Sequence, residues 1–189
     1  MSKFDHFNLI GPIYDRLFRG RTHDTLREWV NPVPHTRMLD LGGGTGRTSI
    51  QFSDGLSEII VADSAKNMLA EARKKGLTTV NASAERLPFA DGCFDRIIMV
   101  DAFHHVADQQ QTMDQIWRTL APGGRLVIEE PDIHHWFVKL IALAEKFLLM
   151  RSHFLKPQEI LAMSSYDDVK NAQIDSEKGI AWVIIDKRP

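Results

Sequence analysis

The chain has 189 residues, 43% of them hydrophobic, which is enough for one domain with a sizeable core. A formal net charge of -2 without a long basic run argues against a nucleic-acid partner, which needs a clustered Lys/Arg face. The single cysteine, Cys93, excludes an intrachain disulfide framework and fits a reducing compartment.

Residues 1–30 read as helical, with apolar Phe4, Phe7, Ile10, Ile13, Tyr14, Leu17 and Phe18 on a broad face. The start "MSKFDHFNLIGP" lacks a basic head followed by an apolar core, so no secretory signal is expected and the cytoplasm is the expected compartment. Pro32 and Pro34 separate this segment from an alternating pattern. "TRMLDL" (36–41), "EIIVAD" (58–63), "TTVNA" (78–82), "FDRIIMV" (94–100) and "RLVIEE" (125–130) read as strands, several of them apolar enough to be buried on both faces. "SAKNMLAEARKKG" (64–76) reads as a helix with Ser64 as N-cap and Gly76 at its end. "DQQQTMDQIWRTL" (108–120) reads as a helix capped by Asp108, and "APGG" (121–124) as a turn. Beyond residue 150, "KPQEILAMSS" (156–165) reads as a short helix, and "DVKNAQI" (168–174) and "IAWVIID" (180–186) as antiparallel strands. Strand–helix–strand repetition implies a Rossmann-like, doubly wound α/β sheet with helices on both faces, its ligand beyond the carboxyl ends of the strands.

"MLDLGGGTGRTS" (38–49) joins the first strand to what reads as the opening of a helix. Glycine there permits left-handed backbone and lets a ligand touch the main chain. The dinucleotide fingerprint G-x-G-x-x-G fails, because its third glycine falls on Arg47. What stands instead is D-x-G-x-G-x-G, on Asp40, Gly42, Gly44 and Gly46. Asp40 would repel a pyrophosphate and suits an ammonium group. Asp63, ending the second strand, can accept from both hydroxyls of a ribose. The competing reading of the loop is a bare strand–helix turn.

"LDLGGGTG" (39–46), "VADSAKNMLAEA" (61–72), "AERLPFADGCFDRIIMVDAFHHV" (84–106) and "LAPGGRLVIEEPD" (120–132) follow one another in register. In these four motifs the sequence resembles the class I S-adenosylmethionine-dependent methyltransferases, most of all the small-molecule group that includes the quinone-biosynthesis C-methyltransferases. The resemblance implies one domain over 1–189: a seven-stranded sheet of order 3-2-1-4-5-7-6 with strand 7 antiparallel, a helical lid at 1–30, a cofactor-binding core at 36–131, a cap helix at 133–155, and a terminal helix and strands at 156–189. It implies S-adenosylmethionine as donor and S-adenosylhomocysteine as product. Asp40, Gly42, Gly43, Gly44, Gly46, Asp63, Ser64, Ser83, Ala84, Glu85 and Asp101 would bind the donor: glycines against the methionine part, Asp40 near its amino group, Asp63 on the ribose. At the adenine the family commonly has Asp or Asn four residues before the Leu of "LPF". Here that position is Ser83, with Glu85 beside it.

Methyl transfer from a sulfonium needs positioning more than acid–base help. In "VDAFHHV" (100–106), His104 or His105 could serve as general base; the alternative is that the pair caps the strand end and packs on the next helix. His134 and His135 lack the convergence of a metal site, and no metal is expected. Cys93, Trp29 and Trp117 read as incidental or packing residues. "IHHWFVKLIALAEKFLLM" (133–150) carries charge and is short for a membrane span, yet has more apolar surface than docking on a sheet requires. It reads as an apolar acceptor pocket with Trp136 and Phe137, as a homodimer interface, or as a shallow membrane contact, with the pocket favoured. Phe7 and Tyr14 are expected to cover that pocket, the alternative being that their face packs on the sheet edge. The expected function is methyl transfer to a small, partly apolar acceptor. The alternatives are a non-catalytic module that binds S-adenosylmethionine as sensor or scaffold, and a nucleotide-linked oxidoreductase, against which Arg47 and Asp40 argue.

Overall fold

Period-two alternation along the apolar runs sorts side chains onto two faces of one sheet. In the computed structural model, which describes residues 23–132 and 153–189, β1 (Arg37–Leu41), β2 (Glu58–Asp63), β3 (Thr78–Asn81), β4 (Phe94–Val100), β5 (Leu120–Pro131), β6 (Val169–Glu177) and β7 (Ile180–Lys187) pair in the order β3-β2-β1-β4-β5-β7-β6. The first five are parallel and β7 is antiparallel to both its neighbours. This is the expected topology. Leu39, Leu41, Ile97, Met99, Leu126, Ile128 and Val183 pack on one face with Met113, Ile116 and Trp117 of α3 (Gln109–Thr119). Met38, Ile98, Val127, Trp182 and Ile184 pack on the other with Leu26 and Val30 of α1 (His23–Val30) and with Phe52. α2 (Lys66–Lys74) lies against β2 and β3, and α4 (Pro157–Ala162) against β6 and β7.

The helix ends show which local readings held. Asp108 caps α3 by accepting from Gln111 N–H at 2.9 Å, as its position predicts. Ser64 does not cap α2. The N-cap is Ala65, whose N–H goes to Asp63 Oδ1 at 2.7 Å. The carboxylate one residue earlier outcompetes the hydroxyl, and Ser64 is exposed. The carbonyls at the end of α1 are taken by two arginines of the sheet: Arg96 donates to Val30 and Asn31, and Arg125 to Trp29. The glycine loop does not open an α-helix. It runs through turns into a single 3₁₀ turn, Ser49–Phe52, because left-handed backbone at Gly42, Gly44 and Gly46 breaks the right-handed progression. Nor does "APGG" end β4's partner cleanly. β5 already pairs at Leu120 with Phe94, then shifts register before Arg125 meets Arg96. Trp117 packs as expected, stacked on Tyr166 with its indole N–H on Asp168.

The helical segment expected before residue 23 and the cap helix over 133–150 lie outside the described residues, and Phe7, Tyr14, Trp136 and Phe137 with them.

Candidate active site at the carboxyl ends of the strands

Asp40 is fully buried, with Oδ2 accepting from the Ser49 hydroxyl at 2.6 Å. Its Oδ1, equally buried, meets no hydrogen-bond partner among the described residues. Gly43 passes directly over this carboxylate, and a Cβ there would lie 2.5 Å from Asp40 Cγ. Burial drives the Asp40 carboxyl up to about 6; the Ser49 bond opposes this, Asp63 adds to it, and Arg47 opposes it again.

A stability signature follows. The raised pKa means that the folded, ligand-free state holds this proton more tightly than the unfolded chain. The advantage is complete below the usual carboxylate range and is lost as pH rises through about 6. Its ceiling is about 3 kcal/mol, since each pKa unit is worth about 1.4 kcal/mol. Asp40→Asn has no such proton. The stability of the wild type relative to Asp40→Asn, from urea unfolding, should therefore fall between pH 4.5 and pH 7.5. A difference that stays constant across that range would show that Asp40 does not titrate there.

Asp63, half-buried at the end of β2, ties the loop to the sheet. Its Oδ2 accepts from Gly44 N–H at 2.9 Å while Oδ1 accepts from Ala65. Asn81, ending β3, donates to the Asp63 and Ser64 carbonyls. Asp40, the glycines, Asp63 and Ser64 thus lie around one loop. Ser83, Ala84 and Glu85 follow β3. The Ser83 hydroxyl donates to Glu85 Oε2, and Glu85 Oε1 accepts from Ala107 N–H at 2.8 Å. Burial raises the Glu85 carboxyl, but the Ser83 bond and the backbone N–H groups outweigh it and leave the pKa below its usual value. Glu85 therefore fixes the start of α3 relative to the segment expected to meet adenine.

The end of β4 abuts the same loop: a Cβ on Gly42 would lie 2.6 Å from Ala102 Cβ. Asp101 there adopts left-handed backbone, φ +51, a conformation that Asp tolerates better than most residues. The next residues are organised by Glu130, a buried carboxylate that the sequence reading did not single out. Glu130 Oε1 accepts from Ala102 N–H at 3.0 Å and from Phe103 N–H at 2.7 Å, and Oε2 contacts His104 Nδ1. The His104 ring, 2% exposed, stacks on Phe154 at 4.3 Å. His153 N–H donates to the His104 carbonyl. The two histidines are not equivalent. Burial, with the neighbouring His104, lowers His105 to about 3, which makes it a poor proton acceptor near neutrality.

Ser49 and Glu130 were legible only indirectly. "VIEEP" ends an apolar strand with two acids, so one faces each buried side, and each must find a donor. Glu129 takes the Trp182 indole N–H at 2.7 Å, and Glu130 takes His104 and two backbone groups.

Among known proteins, residues 39–128 match a family described as methyltransferase domain. Similar relatives include the demethylmenaquinone methyltransferases of Beutenbergia cavernae, 35% identical over 124 residues (65% of this chain, 50% of the relative), and of Thermus thermophilus, 36% identical over 140 residues (66% and 63%). The chain thus spans half to somewhat under two thirds of their length. A solved SAM-dependent methyltransferase from Thermotoga maritima shares the fold at a TM-score of 0.81 and 19% identity, covering 98% of this chain and all of that one. So does the [4+2]-cyclase SpnF, at 0.77 and 14%, covering 97% of this chain and 94% of that one.

Proposed function

We propose that this chain, whose residues 39–128 match a family described as methyltransferase domain, transfers a methyl group from S-adenosylmethionine to a small, partly apolar molecule. The observation that carries this reading is the pair of carboxylates on one glycine loop: Asp40 buried beneath it with an oxygen that meets no hydrogen-bond partner among the described residues, and Asp63 tied to Gly44. That set suits a cation and a diol and is hostile to phosphate.

Asp40 faces the donor's ammonium group, with Gly42, Gly43, Gly44 and Gly46 against its methionine part. Asp63 takes the ribose hydroxyls, with Ser64 beside it. Ser83, Ala84 and Glu85 meet the adenine, and Asp101 closes the site from β4. His104 takes a proton from the acceptor. For the acceptor pocket, and for a homodimer interface as its alternative, the candidates come from the sequence alone: Phe7, Tyr14, Trp136, Phe137 and the 133–150 segment, all outside the described residues. The donor supplies a methyl on sulfonium: the acceptor's electron pair bonds the methyl carbon as the carbon–sulfur pair returns to sulfur, leaving S-adenosylhomocysteine. A cytoplasmic setting without a nucleic-acid partner completes the proposal; no described helix is long and apolar enough to cross a membrane.

Calorimetry should show binding of S-adenosylmethionine and S-adenosylhomocysteine but not NAD; the reverse pattern would sink the donor assignment. Because this fold also hosts a cyclase, fold alone does not decide the chemistry. Incubation with methyl-labelled donor and a metabolite extract separates the readings. Labelled small molecules support transfer, whereas donor binding without any label transferred supports a sensor or scaffold.

A further inference from the structure

We propose that Glu130 is the positioning residue of this site: it fixes His104 in the tautomer that carries its proton on Nδ1 and so makes Nε2 the basic atom. The inference rests on the methyl-transfer reading above and adds a residue to it.

Three contacts converge on one buried carboxylate. Oε1 accepts two consecutive backbone N–H groups, Ala102 and Phe103, and Oε2 meets His104 Nδ1. A carboxylate has only acceptors to offer, so Nδ1 must supply the hydrogen. In a neutral imidazole that places the lone pair on Nε2. The backbone bonds matter equally. They anchor the Phe103–His105 turn to β5, so the imidazole and its carboxylate belong to one rigid unit. Stacking on Phe154 fixes the ring plane, and His153 pins the turn from the returning chain. The same unit touches the glycine loop through Ala102 and Gly42. A proton leaving the acceptor goes to Nε2, the electron pair left on the acceptor atom is the one that takes the methyl, and the imidazolium formed lies against the Glu130 carboxylate.

Glu130→Gln tests this with little change of shape. The amide oxygen can still accept from Ala102 and Phe103, but its NH₂ now faces Nδ1 and donates. Nδ1 must then become the acceptor, and the proton moves to Nε2. Nitrogen-15 NMR of histidine-labelled protein reads the tautomer directly, with His104 assigned by its loss in His104→Gln. The expected result is Nε2 unprotonated in the wild type and protonated in Glu130→Gln. With the acceptor found by labelled transfer, kcat should fall on the order of a hundredfold, the scale of a lost general base, while calorimetric donor affinity changes less than about threefold. A wild-type His104 protonated on Nε2, or a tautomer switch with kcat unchanged, overturns the proposal. If Glu130→Gln does not fold, the wild-type spectrum alone decides the tautomer. If no acceptor is ever methylated but Nε2 is unprotonated, the methyl-transfer reading fails while the tautomer assignment stands.

Discussion

Gly42→Ala is expected to cost about 1–4.5 kcal/mol of folding stability, read as a shift in the urea midpoint. Two penalties add. The position is left-handed, φ +73, which costs an alanine roughly 1–2 kcal/mol. The new methyl would also lie 2.6 Å from Ala102 Cβ, and overpacking of a tight core costs about 1–3 kcal/mol. Ala102 cannot retreat cheaply, because its N–H is held by buried Glu130. A smaller unfolded-state gain, about 0.4–1 kcal/mol for Gly→Ala, works in the opposite direction. Gly123 supplies the control. Its φ is +74, but a Cβ there meets nothing within 4 Å. Gly123→Ala should therefore show the conformational penalty alone. Equal losses in the two variants would mean that the contact between the loop and β4 is not tight.

Asp63→Ala is expected to weaken S-adenosylmethionine binding on the order of a hundredfold. A hydrogen bond to a charged group is worth about 1.5–3 kcal/mol, two ribose hydroxyls are at stake, and about 1.4 kcal/mol is tenfold. The structure adds a second route to the same loss: without this carboxylate Gly44 N–H and Ala65 N–H lose their acceptor, and the loop loses its tie to β2. Asp63→Asn separates the two. The amide can keep one backbone bond through its oxygen but not the rest, so it should fall between wild type and alanine. The measurement is calorimetry with S-adenosylmethionine. A loss smaller than about threefold in Asp63→Ala would mean that Asp63 does not hold the ribose.

Much of this architecture is legible in the sequence. Near-continuous apolar runs at "EIIVAD" and "RIIMV" read as strands buried on both faces, and the structure places Ile60 and Ile59 on opposite sides of the sheet. The glycine loop and the acids on either side of it were visible because each residue type is improbable there without a local reason. The misses have local reasons too. Ser64 looked like a cap because a hydroxyl before an amphipathic run usually is one, but the helix begins one residue later, and Asp63 takes the N–H. The expected helix after the loop shrank to one 3₁₀ turn, because three left-handed glycines cannot be threaded into a right-handed helix.

By itself the sequence determined the strand pattern, the loop chemistry and the position of the two histidines at a strand end. Those depend on residues close together in the chain, where period, capping and turn chemistry act directly. Only the tertiary structure decided which histidine has a carboxylate behind it and what Asp40 must do with its charge. Glu130 lies 26 residues beyond His104, and Ser49 reaches Asp40 only because the loop folds back over it. Such pairings are made by parallel strands setting their carboxyl ends side by side. Desolvation then makes each buried carboxylate find a donor, and no local pattern in the chain records which one it finds.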